Sequence, residues 1–119
     1  MTVVVIGTRT VSENTALSIT NSETTILELS KTECYIVEGY VDLANMASGD
    51  TFVFKEYFKV DETNYRLGPT LTLSNAQTDL VLRFHAKTFD DDYKVTGQRT
   101  AGSNRNFAFK FYVLDYALV

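Results

Sequence analysis

Few side chains in this chain are suited to chemistry: one histidine, one cysteine, an acidic run and scattered carboxylates. His85 sits between Arg83 and Lys87 in an alternating run, which places it on the polar face of a strand. It has no serine or cysteine nucleophile motif beside it and no second histidine to share a metal, so a surface or interface histidine is expected. Asp90, Asp91 and Asp92 supply the hard oxygens that Ca²⁺ prefers. They lack the spaced acidic ladder, the glycine and the closing glutamate of an EF-hand loop, so a solvated turn is the expected reading. Cys34 stands alone, which excludes an internal disulfide and a thiolate zinc site within these residues. Glu38 and Glu56 would serve acid–base hydrolysis only if the fold set them about one cleft, and alternation alone does not fix their spacing. The chain is therefore expected to be no enzyme, with no catalytic, metal or cofactor residues.

At 119 residues and 13.4 kDa the chain has the size of one domain, residues 1–119, with enough length for one core. Apolar residues at 45% and charged residues at 22% match globular proteins rather than disordered ones. A net charge of −4 argues against nucleic acid as a main partner, because phosphate backbones need a cationic face. No apolar run approaches the roughly 18 residues of a membrane span, and the opening MTVVVIGTRT lacks a secretory signal pattern. A soluble chain with an intact start at Met1 and no membrane partner is expected, and the lone cysteine fits a reducing compartment.

The elements that must position these residues are strands, since short runs alternate and almost none repeats at helical spacing. Residues 2–6 form a β-branched run closed by Gly7, and residues 16–20 and 24–29 are the next strands. In residues 34–43, Tyr35, Val37, Gly39, Val41 and Leu43 share one face of a central strand, with Gly39 marking a bulge or a close backbone approach. Residues 44–50 could hold one helical turn before Ser48, Gly49 and Asp50 reverse the chain. Residues 51–60 turn Phe52, Phe54 and Phe58 to the core and Val53, Lys55, Tyr57 and Lys59 to water. They pair with residues 65–73 as a hairpin in which Pro69 marks an edge, a bulge or a break. Residues 80–87 set Leu80, Leu82, Phe84 and Ala86 against Val81, Arg83, His85 and Lys87; residues 93–100 and 107–113 complete the set. Strands at this spacing, without a crossover helix, predict an all-β antiparallel sandwich of jelly-roll type with about eight strands.

Most aromatic residues fall on core faces, but Tyr57, Tyr65, Tyr93, Tyr112 and Tyr116 share faces with polar residues. Tyrosine buries a large ring and keeps a polar handle, so these five are the candidate subunit-interface residues. Trp is absent, which weighs against a carbohydrate-binding module, the alternative alongside calcium binding. The apolar ends, TVVVI and FAFKFYVLDYALV, must be covered by pairing with each other or with a neighbouring subunit.

The string VDLANMASGDTFVFKEYFKVDETNYRL, followed by QRTAGSNRNFAFKFYVL, resembles small β-rich virion-associated proteins of tailed phages and archaeal viruses over residues 34–114. The likeness rests on the Asp-Leu-x-Asn-Met-x-x-Gly-Asp corner, the Asn-Tyr-Arg hairpin return and the Gln-Arg-Thr-Ala-Gly run, which are packing and turn residues. It implies a structural subunit of a virion or similar symmetric assembly: capsid-decorating, minor capsid or tail-associated. A homo-oligomer or other virion subunits as partners, and the virion, made in a host cytoplasm, as location, follow from the same resemblance.

Overall fold

The computed structural model describes the backbone of residues 5–118 and the side chains of residues 7–115. Eight strands run β1 Val5–Ile19, β2 Thr24–Leu29, β3 Tyr35–Asp42, β4 Thr51–Phe58, β5 Arg66–Ser74, β6 Val81–Phe89, β7 Tyr93–Ala101 and β8 Arg105–Leu118. They form two four-stranded sheets, β1-β8-β3-β6 and β2-β7-β4-β5, and every ladder is antiparallel. Successive strands alternate between sheets apart from the β4–β5 hairpin, which is the double Greek key of a jelly roll. The expected fold class is therefore the observed one, and no helix occurs among the described residues.

Alternation explains the core. Tyr35, Val37 and Val41 of β3, Phe52 and Phe54 of β4, and Phe107, Phe111 and Val113 of β8 are all at most 1% exposed and meet between the sheets. Phe107 packs edge-on to Phe52 and Phe54, with centroids 4.9 and 5.9 Å apart, a geometry aromatic quadrupoles favour. Gly39 is both of the things its place in β3 implied. The β3–β6 register shifts between Val37 and Gly39, and the ring of Phe111 lies on Gly39 where a Cβ would stand.

Three local expectations change. The run expected at 2–6 begins outside the described residues, and Gly7 does not close it: Gly7 stays in the ladder opposite Tyr116, and residues 5–19 form one strand. Glu13 and Asn14 are weak strand formers, yet pairing with the strongly strand-forming β8 holds them extended. Residues 44–50 make two successive turns, closed by Met46 N–H to Leu43 O and Asp50 N–H to Ala47 O, rather than a helical turn. In β6 the extra residue opposite Glu38 flips the alternation, so Lys87 points between the sheets instead of to water. Pro69 stands as expected in an edge strand, β5, beside a register shift. The chain ends pair with each other, Val5 opposite Leu118.

Candidate functional site

Of the five candidate interface tyrosines, Tyr57 and Tyr65 are brought together. They lie on the outer face of the β2-β7-β4-β5 sheet, edge to face at 6.5 Å. The Lys94 ammonium stands 5.0 Å from the Tyr57 ring and 4.6 Å from the Tyr65 ring, and Lys59 is 4.8 Å from Tyr65. The Tyr57 hydroxyl donates to Glu23 at 2.6 Å, Thr96 donates to the same carboxylate oxygen, and Tyr65 donates to Glu28 at 3.1 Å. These bonds hold the Glu23 carboxyl below its ordinary range, the Thr96 bond most, while burial and Glu23 push the Tyr57 hydroxyl up. The face is thus a preformed aromatic patch whose rings are held by carboxylates at their hydroxyls and ammonium groups at their faces.

Tyr93 does not lie on an outer face. It occupies an inward position of β7 beside Val95, is 0% exposed, and packs on Phe58 at 5.0 Å. Its hydroxyl donates to Glu56 Oε2 at 2.6 Å, and the Lys87 ammonium reaches that same oxygen at 2.9 Å. Burial, then Glu56, pushes the Tyr93 hydroxyl far above its usual range. A hydrogen-bonded triad therefore joins the sheets, with Glu56 and Tyr93 from one and Lys87 from the other. Glu56 falls in register with Phe52 and Phe54, so its burial could be read from alternation; its cation could not, because the β6 bulge supplies it. Tyr112 is half-buried on the outer face of the β1-β8-β3-β6 sheet, between Val11 and Glu38. Tyr116 lies in β8 opposite Gly7, with its side chain outside those described.

The groups considered for chemistry are dispersed or engaged. Glu38 lies on the outer face of its sheet, 3.8 Å from Arg83, and Glu56 faces inward from the other sheet, so they share no cleft. His85 is exposed at the bulge of β6. Asp92 accepts from the Lys31 N–H at 3.0 Å and from Lys59 Nζ at 2.9 Å, which together keep its carboxyl ionised below its ordinary range, the Lys59 bond most. Asp91 accepts from the Asp92 N–H. Among the described residues no group of three or more His, Cys, Asp or Glu is gathered as a metal site. Cys34 is exposed in the turn before β3.

The motif residues behind the virion resemblance hold turns. Asp50, 1% exposed, accepts from the N–H groups of Ala47 and Ser103 at 2.9 and 3.1 Å and from Arg105 Nε at 2.7 Å. Arg105, foremost among these partners, keeps the Asp50 carboxyl down at about 2. Gly49 takes a φ of +87° just before it, and Gly102 a φ of +84° against its carboxylate. Asp61 in turn accepts from the N–H groups of Thr63 and Asn64, and Arg99 clasps Asn104 and the Gly102 carbonyl.

No protein-family model and no curated protein matches the sequence. Among solved structures, a chain from work described as "Bacillus endospore appendages form a novel family of disulfide-linked pili" matches with a TM-score of 0.58 and 12% identity, over 97% of this chain and 91% of that one. The likeness is to an appendage protein and not to a virion protein, and at 12% identity it is a likeness of fold. Over nearly its whole length, then, this chain is similar in fold to a protein of those appendages.

Proposed function

We propose that the chain is a non-enzymatic structural subunit that builds an assembly by binding copies of itself. One observation carries this reading: the charged clusters are spent on internal links, while four strand edges and two tyrosine-bearing faces point outward. Such a body offers contact surface. The fold match to a pilus-forming protein supports the same role, with a filament as its setting; a virion shell or tail is the setting the sequence resemblance favours. In either setting a polymer of this chain would need at least one joint other than a Cys34 disulfide. One cysteine per chain can link subunits only in pairs, so a disulfide-linked polymer cannot grow through Cys34 alone.

A monomeric binding module is the second reading, favoured by an apolar groove of about 560 Å³ where Leu80 and Val81 meet Tyr40 and Phe109. Light scattering on the purified chain, with reductant, separates the two. Mass that rises with concentration supports the subunit, and a constant monomer mass points to the module.

A further inference from the structure

Sheet edges are ready-made templates for pairing, and proteins block those that must stay free with short strands, proline, bulges or inward-pointing charges. Three of the four edges here carry such a block. β2 has six residues and a register shift between Thr25 and Leu27. β5 contains Pro69 and faces a register shift. β6 is bulged and turns Lys87 inward. β1 differs over residues 5–14, where its ladder to β8 is unbroken and without proline; its register shift lies beyond that stretch, between Asn14 and Leu17, and its other side has no strand partner among the described residues.

The side chains along that open edge are self-complementary. Arg9, Val11 and Glu13 lie on the outer face, opposite Leu114, Tyr112 and Lys110. Val11 is 37% exposed, Arg9 has no ion-pair partner among the described residues, and Glu13 has only Lys110 at 3.9 Å. An antiparallel approach of a second β1, with a two-fold axis through Val11, sets Arg9 of each copy opposite Glu13 of the other. Val11 then meets Val11, Thr10 meets Ser12 and Thr8 meets Asn14. Every pair joins residues of the same parity, so inner and outer faces stay continuous across the joint. Tyr112 stands beside Val11 in each copy, one strand in from the joint.

We propose that β1 pairs with β1 of a second copy in this register, joining two four-stranded sheets into one continuous sheet. The contact is isologous and closes on itself, so it makes pairs; any longer assembly would add a second, different joint between pairs. This inference rests on the self-associating reading above and names its first contact.

The test uses the full chain in reductant, with light scattering across concentrations up to about 100 µM and circular dichroism to verify folding. Glu13 and Arg9 are exposed, so their substitution leaves the core intact. Glu13→Arg replaces two attractive cross-strand pairs by two repulsive ones and is expected to raise the dimer Kd by roughly tenfold or more. The swap Arg9→Glu with Glu13→Arg restores complementarity and is expected to return the Kd to near the parent value. A Glu13→Arg variant that pairs as well as the parent overturns the β1 joint while leaving self-association standing, and a swap variant that stays apart overturns the register. A parent chain that remains monomeric throughout overturns both this inference and the reading beneath it.

Discussion

Replacing Asp50 should unfasten one end of the sandwich. Its carboxylate joins the β3–β4 loop, through Ala47, to the β7–β8 turn, through Ser103 and Arg105, and its carbonyl accepts from Asn75 between β5 and β6. Asp50→Ala orphans two backbone N–H groups and removes the charge that faces Arg105. Breaking a buried ion pair costs about 3–5 kcal/mol. The low end applies, about 3 kcal/mol, because the Arg105 side chain is 32% exposed and can take water in place of the carboxylate. For a chain of 119 residues that corresponds to a fall in Tm of roughly 12 °C, at about 4 °C per kcal/mol. The pH dependence has a fixed sign. The folded-state pKa of about 2 lies below the ordinary 3.8, so the stabilisation is complete above about pH 4 and is lost as the pH falls towards 2. Denaturant melts of parent and Asp50→Ala should therefore differ by about 3 kcal/mol at neutral pH, with the gap narrowing steadily below pH 4. A loss under about 1 kcal/mol, or a gap unchanged at low pH, would refute the role given to Asp50.

Other substitutions probe the core and the faces. Gly39→Ala puts a methyl into the ring of Phe111 and should cost about 2–3 kcal/mol by chemical denaturation, and pairing it with Phe111→Leu should recover part of that cost. Lys87→Met leaves Glu56 between the sheets with only Tyr93 as partner and should cost about 2–4 kcal/mol, whereas Lys87→Met with Glu56→Gln, which removes the charge and keeps an acceptor for the Tyr93 hydroxyl, should recover part of that loss; equal losses in the single and double variants would contradict a paired triad. Calcium at about 1 mM should leave Tm unchanged, because Asp92 is already neutralised by Lys59, and a rise of several degrees would reopen residues 90–92 as a cation site.

The fold was legible because β-periodicity is a local signal. Phe52, Phe54 and Phe58 on β4, and Tyr35 to Val41 on β3, announce their buried faces through spacing alone, and Gly39 and Pro69 mark their irregularities by residue type. What escaped depends on register between distant strands. The bulge in β6 reverses the side of Lys87, and no pattern within residues 80–87 reveals it, since its cause is the pairing of β3 with β6. Tyr93 is a different case: it alternates with Val95 inward while Lys94 points outward onto Tyr57 and Tyr65, a pattern that residues 93–95 carry locally. The length of β1 was hidden because Glu13 and Asn14 have low strand propensity on their own and are held extended by β8. The pairing of the two apolar ends was one of two outcomes that hydrophobicity allowed, and strand order decided it.

The mass of the chain in solution, measured by light scattering with reductant across a tenfold range of concentration, bears most directly on the central claim. Self-association predicts a mass above 13.4 kDa that grows with concentration and is indifferent to calcium. A mass fixed at 13.4 kDa throughout would contradict it.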